Sequence, residues 1–152
     1  MTDRTPEVEA FWQSFLASGA APPDADARWH SAFSIGDGTS DHGADLVLSG
    51  RKTATSSRPE DFGPEGPPVP GSLSVLLGAG GRPRAVVETV AMRTVTLATA
   101  DAALAEAYAE WDGGLAGFRQ GMLAWYRSLD PDFDVNSPLL AEDLRVVWTQ
   151  AM

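Results

Sequence analysis

The sequence predicts an α+β domain: a small mixed β-barrel with an N-terminal helix before it and further helices inserted around it. Three observations carry this. Apolar residues at Val8, Phe11, Trp12, Phe15 and Leu16 follow helical spacing near the start of the chain. Stretches at 53–57, 72–77 and 84–95 read as strands, and an apolar run at 144–149 reads as a closing one. Two helical patterns, about 101–110 and 115–129, stand between the last two strands, an order that fits no doubly wound sheet. The 152 residues suit one domain with a real core, so residues 1–152 are expected to form a single unit with 5–19 as its helical extension.

Each element has a local reason. Thr5-Pro6-Glu7 is a helix start, with a capping hydroxyl, Pro in the first turn and an acid near the positive end of the dipole. The helix is expected to end at Gly19. Residues 20–38 read as loop: first Pro, Ala and Asp, then an aromatic and glycine-rich stretch, Trp29 to Gly38, with no clear period. Ser40 or Asp41 caps a second helix carrying Ala44, Val47 and Leu48 on one face, and Gly50 ends it. Arg58 to Gly71 holds five prolines and three glycines and reads as a loop, a candidate lid. Gly78 to Gly81 is a turn; it lacks the Lys-Ser or Lys-Thr ending and the following helix of a phosphate loop. In the strand 84–95, Val86, Glu88, Val90 and Met92 share one face. A carboxylate there needs a partner or an open, watery barrel mouth. Thr99 or Asp101 caps the third helix, Trp111 to Gly114 breaks it, Asp130-Pro131 stops the fourth, and 138–141 reads as a linker.

Composition narrows the function. There is no cysteine, so no disulfide, thiol nucleophile or thiolate metal site is available. His30 and His42 have no partner histidine nearby, and no metal or other cofactor is expected. No apolar run has membrane-spanning length and the N-terminus lacks a signal pattern, so a soluble cytoplasmic protein is expected. The formal charge of −10 disfavours long nucleic acid, which needs many Lys and Arg contacts to phosphate. It leaves room for a small nucleoside or a short RNA strand.

The most informative stretch is Leu46 to Ser57. It contains Lys52, the one lysine in the chain. Arginine stays protonated, whereas a desolvated lysine can lose its proton and act as a base or nucleophile. Hydroxyls at Thr53, Thr55, Ser56 and Ser57 follow it across a helix-to-strand junction. Lys52 and Thr55 fall on opposite faces of a regular strand, so they meet only if that junction bends.

These segments together resemble the ASCH domain, one of the PUA-like barrels, in its longer bacterial branch. The resemblance runs from Val8 to Val147. It rests on Phe11-Trp12 with Phe15-Leu16, Phe33 to Asp37, Ala44 to Thr55 with its Gly-x-Lys-Thr-x-Thr core, Pro70 to Val75, Gly81-Arg82-Pro83 with Val87-Glu88-Thr89, and Glu142 to Val147. It implies a nucleoside- or RNA-related protein. Some members resemble amidohydrolases that free the exocyclic amine of acylated cytidine through a Lys, a Thr and a Glu; others are ribonucleases. The Lys carries over to Lys52 and the Thr to Thr55. The acidic segment departs from the pattern: it reads Tyr108-Ala109-Glu110-Trp111-Asp112, with Tyr108 where the first Glu stands. Glu110 and Asp112 remain, Phe118 replaces a Trp, Arg119 is kept, Met122 replaces a His, and Ser57 stands where an Arg can occur.

Lys52, Thr55 and Glu110 are therefore the candidate catalytic set. Lys52 would take a proton from Thr55 or a water, and Glu110 would pass it to the leaving amine. Arg51, Ser56, Ser57, Glu88, Asp112 and Arg119 are candidate binding residues, and Trp29 is a candidate base-stacking residue. The alternatives are a non-catalytic RNA or nucleotide module, with Trp29 stacking and Arg51 and Lys52 holding phosphate, a ribonuclease using Lys52 with a hydroxyl such as Ser128, or a purely structural copy of the domain.

Overall fold

The computed structural model describes residues 4–150; the expected domain ends, 1–3 and 151–152, lie outside them. The helix α1, Pro6–Ala17, starts as its sequence dictates. Thr5 Oγ1 accepts from the Val8 N–H at 3.2 Å and Pro6 occupies the first turn. Its apolar stripe, Val8, Phe11, Trp12 and Phe15, is buried against Leu73, Val75 and Val86 of the sheet. Each such side chain contributes about 1.5–3 kcal/mol by leaving water.

The strands are β1 (Trp29–Ser34), β2 (Ala54–Ser57), β3 (Leu73–Leu77), β4 (Pro83–Val95) and β5 (Leu139–Trp148). They form one sheet in the order β1-β3-β4-β5-β2, with β1 parallel to β3 and the other pairs antiparallel. The expected barrel is not closed. Among the described residues no ladder joins β1 to β2, so the sheet stays open, with these two strands as its edges. The α+β class holds.

Two expectations about boundaries are corrected. Trp29 to Ser34 is strand β1, not loop. It lacks alternation because every residue in it is half-buried: Trp29 and Ala32 meet the α1 side, while Phe33 packs on the opposite side. The expected linker at 138–141 is strand from Leu139 onward, where Leu139 pairs with Val95 and Leu140 with both Thr94 and Ser57.

The helix α2, His42–Leu48, packs Ala44 and Val47 on Leu76, Ala85, Val87 and Leu144. Ser40 Oγ accepts from the His42 N–H at 3.0 Å. The Asp41 carboxylate is engaged elsewhere, by the Ala79 N–H and Arg84, both at 2.9 Å. The helix α3, Ala102–Tyr108, is capped by Asp101 and ends two residues before the expected Glu110. With α4, Gly114–Leu129, it covers Ala54, Leu139 and Ala141 at the β2 side of the sheet. Among the described residues no helix is long and apolar enough to cross a membrane.

Candidate functional site

Lys52 is placed by the turn that ends α2. Gly50 takes the left-handed conformation (φ 82°) that a side chain would resist, and the Arg51 and Lys52 N–H groups both donate to the Leu46 carbonyl, at 3.1 and 3.0 Å. The next residue is tied on both sides: the Thr53 N–H donates to the Ala107 carbonyl at 2.8 Å, and its carbonyl accepts from the Leu144 N–H at 3.0 Å. The junction thus bends, and the Lys52 side chain turns inward, leaving the residue 1% exposed.

A second backbone irregularity supplies its partners. Ala109, the C-cap of α3, has φ 64°, the one positive value on a non-glycine among the described residues. A residue with a Cβ adopts that conformation at a cost, so the surrounding structure must hold it there. The turn brings both neighbours of Ala109 onto the amine. Lys52 Nζ donates to Glu110 Oε2 at 2.7 Å and to the Tyr108 carbonyl at 3.1 Å, and it lies 3.3 Å from the centroid of the Tyr108 ring. Glu110 therefore sits where an acid can reach the amine, although Tyr108 stands in the register of the first Glu. Burial drives the Lys52 pKa down to about 8; the charge and hydrogen bond of Glu110 oppose the shift without cancelling it.

Tyr108 links this pair to a group of hydroxyls. Ser56 Oγ donates to the Tyr108 hydroxyl at 3.3 Å and meets the Tyr126 hydroxyl at 2.8 Å. Burial raises the pKa of both phenols, with Tyr126 pushed up to about 12, so both stay neutral hydrogen-bonding groups at ordinary pH.

Glu110, Thr55 and these hydroxyls line a cavity of about 530 Å³, which suits a molecule of nucleoside size. Thr55, Ser56 and Ser57, consecutive residues of the edge strand β2, all line it. The 58–71 loop supplies Asp61, Phe62 and Pro68 to the wall. It is anchored by the Gly66 carbonyl at 2.9 Å from His30 Nε2, by the Val69 N–H on Ser72 Oγ at 2.9 Å, and by the Gly71 N–H on the Thr89 carbonyl at 2.8 Å. Lys52 itself does not line the cavity; it touches it through Glu110.

Three acids in this wall, Asp37, Asp61 and Glu142, were not among the candidates, and Glu142 is the most buried of them. Glu142 of β5 stands directly across from Thr55 of β2, so the two share a face. Its Oε2 accepts from Thr89 Oγ1 at 2.6 Å, and burial raises its pKa, opposed first by that hydrogen bond and then by His30. Its sequence signal was an acid inside an apolar strand. A bulge at Val90 hides its contact with Thr89, because β4 carries one extra residue between Thr89 and Ala91 against β5. Tyr108, Trp111 and Tyr126 also line the cavity, and nothing in their spacing marked them.

The other sequence candidates lie outside the cavity wall. Trp29 packs edge-on against Trp12, ring centroids 5.0 Å apart, and Arg4 covers its ring at 4.7 Å. Arg51 is exposed at the α2 turn, and Asp112 is exposed beyond Trp111. Glu88 faces the α1 side with Val86, where Arg145 Nη2 meets it at 2.6 Å. Its expected need of a partner is thus met by an arginine on the neighbouring strand. Arg119 donates to the carbonyls of Leu97 at 2.8 Å, Ala98 at 3.3 Å and Ala100 at 2.8 Å, and so holds the turn before α3. Ser128 donates to the Trp125 carbonyl on α4 and does not line the cavity. Among the described residues no cluster of three or more His, Cys, Asp or Glu side chains could hold a metal.

Known structures share this fold. A protein from Enterococcus faecalis is 25% identical, with a TM-score of 0.76 over 92% of this chain and 87% of that one. An ASCH domain from Lactobacillus crispatus is 20% identical, with a TM-score of 0.74 over 91% and 92%. An ASCH protein from Zymomonas mobilis, 14% identical, gives a TM-score of 0.51 over 75% of this chain and 65% of that one. No curated protein matches. The model of the ASCH domain family matches residues 31–148, from β1 through the last residue of β5. With that match across most of its length and the same PUA-like fold in its structural neighbours, the chain belongs to the ASCH domain family.

Proposed function

We propose that this protein is an amidohydrolase that releases the exocyclic amine of an acylated cytidine. The observation that carries the reading is the 2.7 Å contact between Lys52 Nζ and Glu110 Oε2, with the carboxylate in the cavity wall and the amine sealed behind it. A proton on an amine whose pKa is about 8 can be exchanged near neutral pH, which is what general acid–base catalysis requires. Glu110 is the relay, because it touches both the amine and the cavity. It takes a proton as a water, or the Thr55 hydroxyl, attacks the acyl carbonyl, and delivers a proton to the amine nitrogen as the C–N bond breaks; where Thr55 attacks, a water then hydrolyses the resulting ester, releasing the acid and restoring the hydroxyl. Lys52 pairs with Glu110 between turnovers and exchanges protons with it. The role expected for Lys52, direct contact with the attacking oxygen, passes to Glu110.

The phosphate-binding alternative finds less support. Among the described residues no Lys or Arg lines the cavity, while Asp37, Asp61, Glu110 and Glu142 do. Asp61 is paired with Arg58 at 2.6 Å and Glu110 with Lys52 at 2.7 Å, so the wall offers a phosphodiester no free Lys or Arg and suits an uncharged nucleoside better. Incubation of the purified protein with acylated cytidine, followed by chromatography, tests the reading. The wild type is expected to release cytidine, and Glu110→Gln and Thr55→Ala each to slow release by about 100-fold or more. Absence of hydrolysis by the folded wild type, or full activity in Glu110→Gln, contradicts it.

A further inference from the structure

We propose that Trp111 is the platform on which the substrate's flat ring stacks, directing the ring's polar edge toward Glu110 and Glu142. The proposal rests on the nucleoside reading above and adds the subsite that recognises the base. Trp111 is 40% exposed and lines the cavity next to Glu110. A large indole left in water gives up burial energy, yet this one is fixed rather than loose. Its Nε1–H donates to Met122 Sδ at 3.1 Å. Its ring lies against the backbone of α4 at Gly121, where a β-carbon would fall inside the ring's van der Waals surface. The short segment that carries it is shaped by left-handed residues at both ends, Ala109 (φ 64°) and Gly113 (φ 86°). One backbone approach, one side-chain hydrogen bond and two turns thus hold the indole in the cavity wall.

The surroundings define what that face would take. Trp125 and Leu129 continue the apolar wall at successive turns of α4, and Phe62 of the 58–71 loop also lines the cavity. The polar side chains in the wall are acids, hydroxyls and the His30 imidazole. A planar, uncharged nitrogen heterocycle fits this combination: its face is received by the indole and its amino edge by carboxylates. The same acids would repel a 5′-phosphate. Aromatic stacking tolerates any base, so selection by the platform is for a flat ring, and selection against phosphate belongs to the wall.

Binding of cytidine, the product, isolates this subsite from the chemistry. Calorimetric titration of the full chain with cytidine and with cytidine 5′-monophosphate is the experiment. The wild type is expected to bind cytidine at least about ten times more tightly than the monophosphate. Trp111→Ala is expected to weaken cytidine binding by about 10- to 100-fold, and Trp111→Phe to restore most of it. Gly121→Ala removes no group from the cavity and favours the helix, but pushes the indole aside; it is expected to weaken cytidine binding as well. In turnover, the Trp111 variants should raise KM with kcat nearly unchanged. Unchanged cytidine affinity in folded Trp111→Ala, equal affinity for the monophosphate, or no cytidine binding by the wild type overturns the proposal. Wild-type hydrolysis with unchanged KM in Trp111→Ala removes the platform and leaves the amidohydrolase. Trp111-dependent cytidine binding without hydrolysis does the reverse.

Discussion

Lys52→Arg is expected to lose about 100-fold or more of kcat on acylated cytidine, with KM changed far less. Arginine keeps the positive charge but does not give up its proton at any working pH. A role limited to charge would survive the change; a role in proton exchange would not. The Lys52 side chain has 0% exposure, so the bulkier guanidinium also strains its surroundings. Lys52→Met keeps the volume and serves as the second variant. It should be equally inactive and less stable by about 3 kcal/mol, because the Tyr108 carbonyl loses its donor and Glu110 its cation. The Glu110 side chain is 19% exposed, which places the cost at the low end of the range for broken buried pairs. Kinetics on both variants, with urea unfolding as the control, checks this. Full activity in a folded Lys52→Arg protein would exclude proton exchange at this amine.

The second large effect is in stability against pH. Burial holds the Lys52 pKa at about 8 in the folded protein, against 10.5 for an unhindered lysine. Between those values the unfolded chain binds the proton and the folded one does not, so stability rises with pH across that window. The phenols act in the opposite sense. Their folded pKa values lie above the ordinary 10, with Tyr126 at about 12, so the folded state retains protons that the unfolded state has lost, and stability falls above pH 10. Unfolding free energies from urea titrations are therefore expected to rise from pH 8 to about 10, by on the order of 2–3 kcal/mol, and then to fall. Lys52→Met should abolish the rise and keep the fall. A flat profile in the wild type between pH 8 and 10 contradicts the burial of a low-pKa amine.

Much of the scaffold was legible because it follows from local chemistry. Thr5-Pro6, the 3.6-residue stripe of α1, the Gly50 stop and the Asp101 cap each act within a few residues of their position. What escaped depends on distant contacts. β1 is half-buried along its whole length, which erases the period-2 pattern. The open edge between β1 and β2 is a matter of sheet curvature that no segment encodes by itself.

The site divides in the same way. Lys52 was conspicuous as the one lysine, and the hydroxyls after it as a cluster. Glu110 could be assigned as its partner only through resemblance, since the contact depends on a left-handed Ala109 that no propensity foretells. Glu142 joins Thr55 through strand register, and Trp111 joins the cavity through the absence of a side chain at Gly121. Trp29 misled because an aromatic in an irregular sequence suits a stacking role and a core plug equally well; here Trp12 claims it.

Because the chain has a single lysine, labelling with ¹³C-lysine yields one side-chain Cε signal, and its shift against pH reports the amine directly. A midpoint near 8, moving further down in Glu110→Gln as the carboxylate's opposing charge is removed, is the predicted result. A midpoint near 10.5 that ignores Glu110 would mean a solvated amine, and the proton exchange on which the proposed chemistry depends would not occur.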